Sequence, residues 1–294
     1  MALLHTLLLS FGFGLITASI LAIAAVGLSL QFGITNYINF AYGDLLTFGI
    51  YTAFVVNQHL GLNIWIGLVI AVIATAILAW LINLFILRPF TDRGTSPIIM
   101  LVVTLGVSLI LQNVILAIFS EQFQSYSINT GTPLTLGPFL FTPLQLGIIG
   151  LAIVTMLGIH ALLHYTRLGK AMRAVSDSPE LARISGINTR LVVNAAWLLA
   201  GGLAGLSGVV LAFNVASFTP TVGFGFLFVI FAAVILGGIG SPYGAIVGAL
   251  VVGLATEMSA AFISSEYKDA IALVILIIAL LIRPQGIFAS RGRA

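Results

Sequence analysis

Cysteine is absent from this 294-residue sequence. That excludes disulfides, zinc–thiolate sites and iron–sulfur clusters as sources of its stability or chemistry. Charge is nearly absent too: Asp, Glu, Lys and Arg make up 6% of the residues, against 60% hydrophobic ones. A soluble domain carries about 25% charged residues. The mean hydropathy of +1.21 and repeated apolar runs of about 20 residues place the chain among polytopic helical membrane proteins. The runs are continuous rather than alternating, which argues against a β-barrel. The net charge of +3 and pI near 9.5 do not point to nucleic acid, because the basic residues sit in short loops with no interleaved basic and aromatic face. Residues 1–30 lack a basic leader and run on as a full-length span, unlike a cleavable signal.

Nine apolar segments are expected as helices, at roughly 7–30, 36–56, 63–87, 97–119, 143–164, 192–213, 224–239, 244–262 and 269–282. The expected architecture is an all-α transmembrane bundle of 8 to 10 spans, with 224–239 and 269–282 short enough for tilt, a broken helix or a re-entrant path. With nine crossings, one side receives Arg88, Arg93, Arg167, Lys170, Arg173, Arg183, Arg190, Arg283, Arg291 and Arg293, and the other only Lys268. The asymmetry predicts an external N-terminus and a cytoplasmic C-terminus. The uncharged breaks at 31–35 and 240–243 leave the parity open. Residues 120–142, with Glu121, Pro133, Gly137, Pro138 and Pro143 in or beside them, read as an irregular external loop. Trp65, Trp80 and Trp197, with Tyr51, Tyr126 and Tyr165, fall mostly near segment ends, as interfacial anchors do.

The charge that exists is concentrated. Arg167, Lys170, Arg173, Asp177, Glu180, Arg183 and Arg190 occupy one stretch between two apolar runs. Such a segment belongs in water, since charge inside the bilayer is costly. Ser178, Pro179 and Glu180 form a helix start: an N-cap, proline at the first helical position and an acid in the first turn. Gly186 is placed to stop that helix. The expected product is a helix of about two turns, held against the bundle by Leu181 and Ile184. Docking to a soluble subunit and lying on lipid headgroups both fit; the mixture of acids and bases on a capped helix favours docking.

Four stretches then carry a resemblance that extends over nearly the whole chain. "GKAMRAVSDSPELARISGINTRLV" at 169–192 looks like the cytoplasmic coupling loop of permease subunits from ATP-binding-cassette importers for branched-chain amino acids. "GLSLQFGITNYINFAYGDLLTFGIY" at 27–51, "LGGIGSPYGAIVGALVVGL" at 236–254 and "EYKDAIALVILIIALLIRPQGIF" at 266–288 resemble the same family, in order. The 27–51 stretch departs from the family pattern, which most often has His and Glu where this chain has Tyr42 and Asp44. The resemblance implies a single permease domain over 1–294 in a bacterial inner membrane, with a coupling loop at about 167–190 and an external loop at about 120–142. It further implies a homologous second permease, two cytoplasmic ATPase subunits that bind the ATP, and an external solute-binding protein. Gly169, Arg173, Ala174, Asp177, Ala182, Gly186, Ile187 and Asn188 are the residues it assigns to coupling.

Asn36, Asn39, Tyr42, Gly43 and Asp44 form a polar break between two apolar segments. An acid at membrane depth faces a bundle interior or a watery cavity, and broken helices hold solute sites in many transporters. Asn39, Tyr42, Gly43 and Asp44 are therefore candidates for the solute path, against the alternative that Asp44 caps a helix and Asn39 locks helices together. Glu257 is a further path candidate, or half of an ion pair with Lys268. Gly201, Gly205 and Gly208, then Gly237, Gly240, Gly244 and Gly248, recur at or near spacings of four and read as close helix packing. Gly237 to Pro242 only loosely echoes a phosphate loop, with no following Lys-Ser/Thr. His160 and His164 lack a third ligand nearby and read as interfacial residues, not a metal site.

Three functional classes compete. An intramembrane enzyme is disfavoured, since no paired acids, His-Glu-x-x-His or activated nucleophile is present and no catalytic residue is expected. An ion-coupled secondary carrier could use Asp44 and Glu257 as a relay. An importer permease also accounts for the charged segment, and the resemblance favours it; its solute is a branched-chain or other apolar neutral amino acid, or alternatively urea or a short amide.

Overall fold

The computed structural model describes residues 2–128, 131–136, 139–262, 264, 267–283 and 286–288. Arg291, Arg293, Gly137, Pro138 and Glu266 lie outside that set. All nine apolar segments form helices, and the only β-structure among the described residues is one short hairpin and one isolated bridge. The helices are α1 (Ala2–Thr35), α2 (Tyr42–Phe54), α3 (Ile64–Ile82), α4 (Arg88–Asp92), α5 (Pro97–Phe119), α6 (Pro143–Tyr165), α7 (Arg167–Asp177), α8 (Pro179–Ile184), α9 (Thr189–Val215), α10 (Val222–Gly237), α11 (Pro242–Ser259) and α12 (Lys268–Ile282). Six are long and apolar enough to cross a bilayer: α1, the continuous rod Ile64–Asp92, α5, α6, α9 and α11.

Local chemistry sets the helix boundaries. Four helices begin on a hydroxyl residue followed by proline: Ser96-Pro97, Thr142-Pro143, Ser178-Pro179 and Ser241-Pro242. Proline fits the first turn because its missing N–H would have no helical partner there. Thr142, Ser178 and Ser241 also accept from a backbone N–H three residues on, and Thr142 completes a reciprocal capping box with Gln145. The rod from Ile64 to Asp92 widens into a π-turn at Asn83–Leu87, just before Pro89. A proline ring excludes the carbonyl four residues earlier, and a wider turn accommodates it.

Glycine sets the helix spacing. α1 and α11 run antiparallel in close contact: a Cβ at Gly253 would stand 2.6 Å from Ala18 Cα, and one at Gly33 would stand 3.1 Å from Gly240 O. α3 and α2 both lie antiparallel to α9. A Cβ at Gly201 would meet Thr75 O at 2.9 Å, and one at Gly49 would meet Gly205 Cα at 2.7 Å. Of the glycines expected to pack, Gly201, Gly205, Gly208, Gly237, Gly244 and Gly248 each lie where an added Cβ would press on a neighbouring backbone. Trp197 and Tyr51, expected as interfacial anchors, are instead enclosed in the core. The reason is α9, most of whose apolar window is covered by its neighbours, so its tryptophan meets protein rather than headgroups.

The contacts also fix the two ends of the bundle. Asn83 Nδ2 donates to Asn194 Oδ1 at 3.2 Å, joining the α3 end to the α9 start. Gly33 lies against Gly240 and Ser176, and Gly286 against Gly238. Residues 88–96, 166–188, 238–241, 283 and 286–288 therefore share one face, hereafter the charged face. Residues 31–35, where a break was expected, are the helical end of α1, and the chain leaves that helix at Asn36; this turn and the one at 238–241 both fall on the charged face, so the chain makes an odd number of passes between its faces. The described residues of 120–142 lie at the opposite face with 55–63 and 216–221, tied by Gln58 Nε2 donating to Ser125 O at 3.0 Å and by the Gln124–Phe218 bridge. Among the described residues, Lys268 is the one lysine or arginine at that opposite face.

Two expectations need correction. Residues 120–142 are not wholly irregular: β1 (Leu134–Leu136) pairs antiparallel with β2 (Phe139–Phe141). Phe139 and Phe141 pack over Gly12 of α1, whose missing side chain makes room for both rings. Tyr126, in the same loop, donates to Ile50 O at 2.9 Å. Burial first, and the neighbouring Tyr51 second, push its hydroxyl pKa well above the usual range, which keeps it a donor. Second, the 36–56 segment becomes helical only at Tyr42. Asn36, exposed, takes the left-handed conformation at φ 57°, and the chain from 37 to 41 then passes irregularly into the interior.

Candidate functional site

The charged segment folds as two helices rather than one. Thr166 Oγ1 accepts from the Gly169 N–H at 3.0 Å and starts α7 immediately after α6. Gly169 is buried where the chain doubles back, and a Cβ there would stand 2.5 Å from Leu163 Cα. Met172 and Val175, three apart on the same side of α7, are buried, while Arg173 and Asp177 are exposed. Ala174 is half-covered and packs against the core. Ser178 ends α7 and caps α8, as the sequence predicts. Gly186, at φ 84°, stops α8. Its neighbour Ile187 donates its N–H to the Ala182 carbonyl at 3.0 Å, and Asn188 Oδ1 accepts from Leu191 N–H at 3.2 Å to begin α9.

The orientation of α8 reverses one expectation. Leu181 and Ile184 do not hold it to the bundle: they are 66% and 82% exposed, while Ala182 is 4% exposed. A helix this short can sit close only on a small side chain, so Ala182 faces inward. Leu181 and Ile184, spaced i and i+3, then share the outward side. The most charged segment of the chain thus presents two large aliphatic side chains at the surface, flanking Arg183. Sequence reasoning missed the pair; the small residue between them was the available signal.

Beside α7, a cleft of about 560 Å³ opens at the charged face. Its walls come from the end of α1, from α7 and from the 239–243 turn that leads into α11. Arg173, Ser176, Asp177 and Asn36 line it, so two of the residues expected in coupling and one polar break residue meet here.

The remaining break residues lie inside the bundle. Asn39 Nδ2 donates to Gln31 Oε1 at 3.2 Å, and its Oδ1 accepts from Ala41 N–H at 3.1 Å. Thr104 of α5 accepts from Phe40 N–H at 3.3 Å, and its one hydroxyl proton lies within reach of both Leu101 O at 2.9 Å and Ile38 O at 3.2 Å. These bonds satisfy a backbone that lacks helical partners, as burial at membrane depth requires. Tyr42 donates its hydroxyl to Ala24 O at 2.9 Å. Asp44 Oδ2 accepts from Ser108 Oγ, while Asp44 Oδ1 has no hydrogen-bond partner among the described residues. Ser108 is the middle residue of the 23-residue α5, which puts the carboxyl about 16 Å from either end of that helix. Gly43 presses on α10, where a Cβ would stand 2.6 Å from Gly223 O, and Gly223 N–H donates to Thr47 Oγ1 at 3.2 Å. Asn39, Tyr42, Gly43 and Asp44 are all enclosed within this chain and join α2 to α1, α5 and α10.

Glu257 is held apart from that cluster, near the opposite face. Its Oε1 accepts from Thr17 Oγ1 at 2.9 Å, and its Oε2 pairs with Lys268 Nζ at 2.7 Å. The pair ties α1, α11 and α12 together. Lys268→Met is expected to lower stability by about 2 kcal/mol, because Glu257, only 13% exposed, is left with one hydroxyl partner. Adding Glu257→Gln should recover most of the loss in a thermal-melt double-mutant cycle. His160 and His164 stack at 5.6 Å, and His160 Nδ1 lies 2.8 Å from the Tyr243 hydroxyl. Both histidines are exposed near the charged face, and no metal-competent cluster occurs among the described residues.

Fold and site together define a multi-pass helical membrane protein, whose densest cluster of charge is gathered in one helical segment at one end. Residues 10–280 match the family described as branched-chain amino acid transport system / permease component, and the chain belongs to it. It is 31% identical over 287 residues to the high-affinity branched-chain amino acid transport system permease protein LivH of Salmonella typhimurium, covering 93% of this chain and 92% of that protein. The corresponding BraD of Pseudomonas aeruginosa is 30% identical, with 93% of each chain covered. Among solved structures, PsaBC from Streptococcus pneumoniae in complex with Fab shares the fold, at a TM-score of 0.51 and 18% identity, covering 93% of this chain and 91% of that one.

Proposed function

We propose that this chain is one of two homologous permease subunits of an importer in the bacterial inner membrane. It carries branched-chain or other apolar neutral amino acids, driven by two separate ATPase subunits and fed by an external binding protein. The names of the LivH and BraD relatives support the solute class. The confinement of the described basic residues, Lys268 apart, to the charged face supports placing that face in the cytoplasm, and the N-terminus outside.

The observation that carries the reading is α8. It is a capped, short helix that shows Leu181 and Ile184 to water on the face richest in charge. Exposed aliphatic side chains rimmed by polar residues fit a protein partner. Gly169 fixes α7 against α6, and Asn188 starts α9 directly after α8. A push on α8 therefore reaches two long helices through short connections. Ala182, Gly186 and Ile187 hold the shape of that lever, and Arg173, Ala174 and Asp177 lie on the helix leading into it. Asn39, Tyr42, Gly43 and Asp44 act from inside, by fixing how α2 seats between its neighbours when the path opens and closes. Glu257 acts as a clasp at the external end. Each open state must differ in solute affinity for the cycle to pump.

Reconstitution tests this directly. Proteoliposomes holding both permeases and the ATPases, with the binding protein outside and ATP inside, are expected to accumulate labelled leucine. Liposomes with the two permeases alone should not. Accumulation without ATPase subunits would establish a secondary carrier instead, and transport of urea or acetamide in place of leucine would reassign the solute.

A further inference from the structure

The cleft beside α7 combines features that no packing role requires. Arg173 and Asp177 stand one turn apart on α7, with Cβ atoms about 6 Å apart, and both line the cleft. They carry opposite charge at a spacing that ordinarily favours an ion pair, yet they do not pair in this structure, and among the described residues neither makes a salt bridge. Asn36 adds an exposed amide at the same rim. Leu30, Phe32, Ile34 and Met172 contribute an apolar wall, with Phe288 closing one side. α11 begins in the cleft at Ser241, Pro242 and Tyr243, so the positive end of an 18-residue helix faces it.

We infer that this cleft is a binding site, on the face where solute is released, for a free α-amino acid with an apolar side chain. Arg173 and the α11 N-terminus take the carboxylate, Asp177 and the Asn36 amide oxygen take the ammonium, and the apolar wall takes the side chain. The volume of about 560 Å³ falls within the usual range for small-molecule pockets. A ligand carrying both charges on one carbon satisfies Arg173 and Asp177 together, where a simple anion or cation leaves one of them without a counter-charge. The inference rests on the import reading, which supplies the amino acid at this face. An occupant would bridge α7 to α1 and α11, and so bear on the same lever that the ATPases move.

The test uses the assembled transporter in lipid nanodiscs without its binding protein, and a diazirine-bearing leucine as photoprobe. Crosslinks are expected in peptides containing 30–36, 172–177 and 239–243, reduced at least tenfold by excess L-leucine. Arg173→Gln and Asp177→Asn should each reduce cleft labelling about tenfold. Both side chains reach water, and unchanged melting temperatures will show that the variants fold. Leucinamide, which lacks the carboxylate, and 4-methylpentanoate, which lacks the ammonium, should compete at least tenfold less well. Crosslinks confined to other parts of the chain would overturn the inference, as would equal competition by 4-methylpentanoate, which would mark a plain anion site. ATP-driven leucine uptake with no cleft labelling would sink this inference alone. Cleft labelling that L-leucine blocks, in a complex that transports no amino acid, would uphold the site and sink the import reading.

Discussion

Gly223→Val is expected to destabilise the bundle by about 3 kcal/mol, at the upper end of what overpacking ordinarily costs. The new side chain would overlap Gly43 O, and the two backbones cannot separate without breaking the Gly223 N–H bond to Thr47 Oγ1. α2 would then lose its seat against α10, and with it the alignment of the buried Asp44–Ser108 pair. Thermal unfolding in detergent, followed by size-exclusion chromatography, measures the effect. Gly225→Ala is the control. It lies two residues further along the same helix, and a Cβ there meets nothing within 4 Å. It should be neutral or stabilising by up to about 1 kcal/mol, because alanine is the better helix former. Equal damage from both substitutions would show that the crossing is looser than these contacts require.

The second large effect is functional and should leave the fold intact. Leu181→Asp with Ile184→Asp places two acids where two aliphatic side chains now face water. Neither side chain supports the bundle, so the melting temperature should not fall. If α8 is the surface gripped by the ATPase, each lost anchor costs about 2 kcal/mol of docking, roughly 30-fold in affinity. Leucine uptake by the reconstituted importer should drop at least tenfold, with less ATPase recovered on pull-down of the permease. Ala182→Leu gives a different signature: the larger side chain faces inward, so α8 is forced off the bundle and stability falls together with uptake. Full uptake by the double-aspartate variant, with subunits assembled, would remove α8 from the coupling role.

Long apolar runs made the helices legible in advance. A continuous run of about 20 residues has one low-energy form in hydrocarbon, because every backbone N–H and C=O must find its partner within the segment. The start of α8 at Ser178-Pro179-Glu180 and its end at Gly186 were equally plain, since capping depends on neighbours in the chain. Less legible was the start of α2. Asn36 and Asn39 marked a polar break but not the point where the helix resumes, and the irregular backbone around 38–40 is held by Thr104, contributed by α5 from more than sixty positions away. The parity of the passes needed the Gly33–Gly240 contact, because the two uncharged breaks gave the positive-inside argument nothing to count.

The candidate residues divide in the same way. Composition and charge placement determined that this chain is a helical membrane protein with one concentrated charged segment between its apolar runs, because solvation by lipid or water acts on each segment separately. Only the tertiary structure decided which way Leu181 and Ile184 point, that Asp44 is enclosed at mid-depth, that Glu257 is clasped by Thr17 and Lys268, and that Arg173, Asp177 and Asn36 share a cleft. Each of those depends on close approach between helices distant in sequence, which glycines such as Gly169, Gly223 and Gly253 permit at particular crossings. A missing side chain shows that two backbones can meet there, but not which partner arrives.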